Sequence, residues 1–217
     1  MKILTLTGNI KLITGLHIGG GDDTMKIGGI DKEVIKIYDR ELKREVPYIP
    51  GSSLKGKIRS LLEVANRLVI NEGGPFNSKY LNSIDEDKKN MAINIVKVFG
   101  DANNEKPYGI TRAIFYDAYL SEKSKKEVLN EEIELREVKY ENTIDRRNGK
   151  AANPRQIERV PAGVEFEFVI KLKVLDEDNE EELKKVIEEG LMLLENDYLG
   201  GSGSRGYGRV KINYKWE

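Results

Sequence analysis

"VEFEFVIKLKV", residues 164–174, places Val164, Phe166, Phe168, Ile170, Leu172 and Val174 at every second position, with mostly charged residues between them. Successive side chains of a strand point to opposite faces, so this period of two predicts a strand with one face buried and the other in water. Such a strand needs partners in a sheet and a layer packed over its apolar face. The flanking sequence offers both. Upstream, "ILTLTGNIKLIT" (3–14) reads as the first strand, "VIKIY" (34–38) as a short one, and "ITRAIFYDAYL" (110–120) as the next. Downstream, "GYGRVKINYKW" (206–216) is the last.

Two segments carry the 3.6-residue period of amphipathic helices. After "PYIPG", a short strand and turn, residues 51–70 put Leu54, Ile58, Leu61, Leu62, Ala65 and Leu68 on one stripe, with Ser52 or Ser53 as the expected N-cap. The acidic segment 176–197 does the same with Leu183, Val186, Ile187, Gly190, Leu191 and Leu194. Residues 71–106 read as a helical insertion in which Met91, Ile95 and Val98 have helical spacing. "EKSKKEVLN" (122–130) reads as a linker, and residues 134–163 as a long polar excursion. With the excursions set aside, the order is strand, helix, strand, strand, helix, strand. That predicts a single α+β domain with a ferredoxin-like (RRM-like) βαββαβ core. Many functions share that fold, so its sites must decide among them.

Composition removes several chemistries. The chain of 217 residues has no Cys and a single His, which leaves no disulfide, no zinc ribbon and no site built on two imidazoles. No apolar run is long enough to span a membrane and no signal peptide is apparent, so a cytoplasmic protein without membrane partners is expected. The formal net charge of -1 hides an uneven distribution. Residues 176–197 are strongly acidic, whereas 139–159 lean basic through Lys139, Arg146, Arg147, Lys150, Arg155 and Arg159. A polyanion held on one face and repelled from another would suit this pattern, as would a merely solvated acidic helix.

Three motifs bear on function. "GSSLKGKI" (51–58) satisfies the G-x-x-x-x-G-K part of a nucleotide-binding P-loop, but Ile58 stands where a Ser or Thr would reach Mg²⁺. If a helix begins at Ser52 or Ser53, Gly56 and Lys57 lie inside it and cannot wrap a triphosphate. The remaining readings are a helix N-terminus that receives a backbone phosphate beside Lys55, Lys57 and Arg59, or an ordinary capped helix with solvated lysines. "RGYGRVKI" (205–212) matches part of an RRM stacking signature, but Arg209 and Ile212 stand where aromatic residues would be and the stretch opens the last strand, so base stacking of that kind is not expected. "GGSGSRGYGR" (200–209) is a glycine-rich loop that another backbone can approach closely, with Ser204, Arg205 and Tyr207 as candidate contacts. Finally, "GLHIGGGDD" and "IGGIDKEVI" bring His17, Asp22, Asp23 and Asp31 into glycine-rich surroundings, and spacing alone does not choose among the aspartates.

Taken together, "GLHIGGGDD", "IGGIDKEVI", "YIPGSSLKGKIRSLLE", "ENTIDR", "NPRQIERV" and "DYLGGSGSRGYGRV" resemble the RAMP superfamily of RNA binders. Within it they are similar to the repeating backbone subunits of type III-A CRISPR (Csm) interference complexes. The resemblance implies copies stacked head to tail on a guide RNA, with other Csm subunits as neighbours. It also implies regular cutting of a complementary single-stranded target RNA, once per copy. By motif position Asp31 is the implied catalytic residue, working with a divalent metal expected to be Mg²⁺, whose ligands are unknown. His17, Ser53, Lys55, Lys57, Arg59, Ser204, Arg205 and Tyr207 fall in segments implied to face RNA. Residues 139–162 match a thumb-like β-hairpin that enters the guide–target duplex, giving Arg146, Arg147, Arg155 and Arg159 phosphate contacts and setting Gln156 and Ile157 against displaced bases. A non-catalytic RNA-binding scaffold and a P-loop NTPase are the alternative functions.

Overall fold

The computed structural model describes residues 1–20 and 32–217. Its main sheet joins β1 (Lys2–Leu12), β4 (Ala113–Phe115), β8 (Glu165–Val174) and β9 (Val210–Trp216) in the antiparallel order β4–β8–β1–β9, and β5 (Tyr119–Leu120) also pairs with β8. The strand containing the alternating stretch is therefore central. Leu6 lies opposite Ile170, and Ile10 lies between Phe166 and Ile212. These even-numbered side chains form one buried cluster with the stripes of α1 (Gly51–Ala65), α2 (Glu86–Phe99) and α4 (Glu180–Asn196).

Close packing between α1 and α4 depends on Gly190. A Cβ there would stand 2.3 Å from Ile58 Cγ2, so only glycine lets the two helices approach this far. The acidic helix buries every residue of its expected stripe. In α1, Leu54, Ile58 and Leu62 are buried, but Ala65 is exposed and Glu63 takes a buried place instead, accepting from Arg59 Nε and the Phe76 N–H. Helix α2 is no appendage, because Ala92, Ile95, Val96, Val98 and Phe99 all join the core.

Several sequence expectations are corrected. The segment 122–130, read as a linker, is helix α3 (Glu122–Leu129), capped by Ser121, whose side chain accepts from the Ser124 N–H. Only two turns long and with Val128 its one buried aliphatic residue, it carries too little apolar period to be read. The strand expected over 110–120 is broken into β4 and β5. Between them Ala118 bridges to Ile49, and Asp117 Oδ1 accepts the Gly51 N–H at 2.7 Å. That carboxylate caps α1, which begins at Gly51 after Pro50 with no cap from Ser52 or Ser53.

The remaining strands make two hairpins outside the main sheet. β2 (Lys36–Asp39) pairs with β3 (Arg44–Pro47), and β6 (Glu137–Asp145) pairs with β7 (Lys150–Arg159). In the longer hairpin the register slips between Glu141 and Thr143, where Asn153 opposite adopts φ 51° before Pro154. Even-numbered β6 residues face outward there, leaving Tyr140 and Ile144 largely exposed.

Candidate nucleic-acid interface

Residues 14–19 leave the end of β1 and are gripped on both sides. Leu16 forms a bridge with Val160 at the root of the long hairpin, while Gly201 and Gly208 donate their N–H groups to His17 O and Gly15 O at 2.9 Å each. The glycine-rich loop is thus packed against this segment. A Cβ on Gly200, at φ 74°, would lie 2.3 Å from His17 O, and one on Gly203 would lie 2.0 Å from the Tyr198 ring. These glycines serve close approach within the chain, as well as leaving Ser204 and Arg205 at the surface.

His17 is 8% exposed, and its Nδ1 lies 2.8 Å from Glu158 O. A carbonyl only accepts, so Nδ1 carries the proton, and in the neutral ring Nε2 is an acceptor. An Nε2 in that state suits a hydroxyl donor such as a ribose 2'-OH.

At α1 the structure separates cations that sequence treated alike. Lys57 Nζ is 2.6 Å from Asp197 Oδ2 and 3.7 Å from the Tyr198 ring centroid. Arg59 is held by Glu63 at 2.7 Å and by Phe76 O at 2.6 Å. Among the described residues Lys55 meets no carboxylate. Burial and the neighbouring Arg59 guanidinium push its pKa down, which is what an amine without a counter-anion should show. A phosphate at Lys55 would reverse that cost. Gly56 and Lys57 lie within the helix, so residues 51–58 lack the loop that cradles a nucleotide triphosphate.

A second charge cluster ties the glycine-rich loop to the hairpin. Tyr207 is 1% exposed, and its Oη donates to Glu141 Oε1 at 2.7 Å. Lys139 Nζ and the Arg159 guanidinium lie 4.4 and 4.6 Å from its ring centroid. Arg205 reaches Glu141 Oε2 at 2.8 Å and Ser202 Oγ at 2.6 Å. Burial and the Glu141 carboxylate push Tyr207 up to about 12, while the surrounding donors and cations take Glu141 below its ordinary value despite its own desolvation. A ring enclosed in this way has no free face for a base. Tyr207 is a strut, buried where Ser204 and Arg205 beside it are exposed, so its place among the expected RNA contacts is corrected.

The hairpin divides similarly. Arg146 and Arg155 are exposed and, among the described residues, free of carboxylate partners, whereas Arg147 folds back on Asp145 at 3.1 Å. Arg159 is paired with Glu137. Gln156 is half-buried, and Ile157 is 4% exposed, which corrects the expectation that Ile157 presses on displaced bases. The large apolar side chains most open to solvent in the hairpin are on the other strand, at Tyr140 and Ile144. Sequence reading passed over them because alternation within a polar, charged strand does not reveal which face is open.

Asp31, with Asp22 and Asp23, lies outside the described residues. The segment that follows is described and joins the same surface. Lys32 makes a parallel bridge with Ile157, Gly19 bridges to Val34, and Ile35 donates to Ile18 O at 2.8 Å. His17, the glycine-rich loop, the hairpin root and the chain leaving residue 31 therefore meet. Through Tyr198, which touches both Lys57 and Gly203, the surface continues to the start of α1. Three residues that organise it were not singled out in the sequence: Glu158, Glu141 and Asp117. Glu141 and Glu158 stand within "ENTIDR" and "NPRQIERV", but nothing in those stretches marks either carboxylate, and only tertiary pairing gives the three their meaning.

Residues 9–211 match the family model described as the RAMP superfamily. A Streptococcus thermophilus protein named "CRISPR system Cms endoribonuclease Csm3" is 42% identical over 209 residues, covering 95% of this chain and 86% of the relative. The solved Csm3–Csm4 subcomplex of a type III-A CRISPR-Cas interference complex contains a chain 31% identical with a TM-score of 0.55, covering 99% of this chain and 77% of that one. The Methanopyrus kandleri Csm3 crystal structure shares the fold at 23% identity and a TM-score of 0.64, covering 98% and 75% of the two chains.

Proposed function

This chain belongs to the RAMP superfamily, and on that footing we propose that it is a backbone subunit of a type III-A CRISPR interference complex, an endoribonuclease that cuts target RNA. The observation that carries the reading is the single surface on which His17, the glycine-rich loop, the hairpin root and the backbone leaving residue 31 converge. The strand order β4–β8–β1–β9, with its intervening helices, supports a ferredoxin-like core.

In the proposed assembly, copies stack head to tail on a guide RNA in the cytoplasm, beside other subunits of the complex. An interface between unlike surfaces that does not close extends as a filament. Lys55, Arg146, Arg155 and the exposed edge of the glycine-rich loop contact phosphates without reading sequence, which base pairing supplies. The β6–β7 hairpin enters the guide–target duplex and displaces a pair. Tyr140 and Ile144 are the apolar groups available to press on bases.

Displacement matters because a regular A-form helix keeps each 2'-hydroxyl out of line with its adjacent phosphate. Once the strand is free, the target's 2'-oxygen attacks that phosphorus. The P–O2' bond forms and the P–O5' bond breaks, leaving a 2',3'-cyclic phosphate and a 5'-hydroxyl, with the 2'-proton lost and one gained by the leaving oxygen. Asp31 accepts the proton, holds a divalent ion or fixes the strand in line. Among the described residues no three His, Asp or Glu side chains form a cluster that could hold a metal. Asp31 would be the residue to hold such an ion, with phosphate oxygens of the bound RNA and water able to complete its oxygen donors. The ion would supply charge neutralisation at the phosphate.

The test is cleavage of labelled complementary RNA by the assembled complex containing either the native chain or Asp31→Asn, with Mg²⁺ and with chelator. The reading expects metal-dependent cuts that disappear in the variant while target binding persists. Cutting that survives the substitution would make the chain a guide-RNA scaffold.

A further inference from the structure

Glu158 is a fully buried carboxylate beside Ile157 at the root of a hairpin that is otherwise mostly polar and exposed. Burying a charge is costly unless donors meet it, and here both oxygens are met. Oε2 accepts the Val34 N–H at 2.9 Å; Oε1 lies 2.8 Å from Lys36 Nζ and 3.2 Å from Arg136 Nε. The same residue's main chain donates to Lys32 O at 3.0 Å and accepts from His17 Nδ1 at 2.8 Å. One residue of β7 therefore fixes both the segment after residue 31 and the His17 tautomer.

A hairpin needs no such group. A β-branched apolar residue would fill the space at less desolvation cost, and buried ion pairs contribute little to stability compared with apolar replacements. What the carboxylate supplies is connection. Asp31 precedes Lys32 by one peptide bond, so whatever holds Lys32 and Val34 limits where the Asp31 carboxylate can go. The neighbours of Glu158 from each element are Lys36 on β2, Arg136 before β6, the His17 ring after β1, and the backbone of residues 32–34.

We propose that Glu158 is a positioning residue for the nuclease reaction, joining the hairpin that distorts the RNA to the segment that carries Asp31. The inference rests on the reading of Asp31 above. It predicts that loosening Glu158 slows the chemical step and spares RNA binding. In Glu158→Gln the side chain keeps its shape, but its NH₂ group must face a cation or the Val34 N–H. Misplacement on the scale of an ångström costs about 100-fold in rate, so a loss of roughly 10- to 100-fold is expected.

The experiment is single-turnover cutting by the assembled complex at saturating target, with target affinity measured in parallel, for Glu158→Gln, Glu158→Asp, Lys36→Met and Asp31→Asn. The expected result is slow cutting at unchanged positions and unchanged affinity for Glu158→Gln, partial recovery for Glu158→Asp, and a smaller slowing for Lys36→Met. Lys36 is partly exposed, so its variant carries the test should Glu158→Gln not assemble. In the double variant of Glu158→Gln with Lys36→Met, no further slowing is expected, because both act through one contact. Native-rate cutting by Glu158→Gln, or a rate loss matched by lost affinity, overturns the inference while leaving the role of Asp31 intact. Native-rate cutting by Asp31→Asn overturns the underlying reading, and the inference with it.

Discussion

Replacing Lys55 by Ala removes the one cation near the start of α1 that has no carboxylate partner among the described residues, whereas Lys57 is already neutralised by Asp197 at 2.6 Å. Binding of RNA by a cation releases condensed counterions, and for a single strand each phosphate contact contributes about 0.7 to the slope of log affinity against log salt. Lys55→Ala should flatten that slope by about 0.7 per bound copy. Between 50 and 200 mM salt, the fourfold rise in salt then costs the variant about 2.6-fold less affinity than it costs the native chain. The paired change Lys57→Met with Asp197→Asn removes a cation and an anion together and should leave the slope as it was. The assay is guide-RNA binding titrated across salt, with two unrelated guide sequences losing affinity alike. A paired variant that flattens the slope as much as Lys55→Ala, or a Lys55 effect that depends on sequence, would refute the distinction drawn between these lysines.

Two further predictions concern the scaffold that holds this surface. Asp178 is enclosed with Arg112 at 2.8 Å and Lys97 at 2.9 Å; burial opposes its ionisation, but hydrogen bonds from Arg112, Lys97 and the Leu175 N–H prevail and bring its pKa to about 2. A depressed folded-state pKa adds stability that is present above the unfolded value of 3.8 and lost as pH falls toward 2. Between pH 5 and 3 the share of the loss due to Asp178 should be about 1 kcal/mol, read by urea unfolding as the difference between the native chain and Asp178→Asn, while Arg112→Met at neutral pH should cost about 3–5 kcal/mol. At α1, Asp117→Ala should lower stability by about 1 kcal/mol in thermal melts, because that carboxylate caps the Gly51 N–H; Ser52→Ala and Ser53→Ala should stay within about 0.5 kcal/mol of native.

What sequence reveals here depends on whether a signal is periodic or tertiary. Phe166, Phe168, Ile170 and Leu172 declare a central strand because each is apolar at every second position, and all are buried on β8. Leu183, Val186, Ile187 and Leu191 do the same for α4. Helix α3 has no such stripe, and the break at Asp117 follows from a partner 66 residues earlier in the chain, which no local pattern encodes. The same limit governs the site. Glycines and basic residues around 200–209 and 146–159 are visible as composition, but Tyr207 stacked within Lys139, Arg159 and Glu141 reads identically in sequence to a tyrosine waiting for a base. Glu158 is the extreme case, since an isolated glutamate in a charged strand is ordinarily solvated, and only its burial among Val34, Lys36 and Arg136 marks it out.

The most direct test of the central claim is to assemble the complex from defined mixtures of native and Asp31→Asn chains and map the cuts in one labelled target under single-turnover conditions. If each copy cuts once with its own Asp31, every cut weakens in proportion to the variant fraction while the positions stay fixed, and none remains at full substitution. Cutting that is indifferent to the fraction of variant would contradict the assignment of the nuclease to this chain.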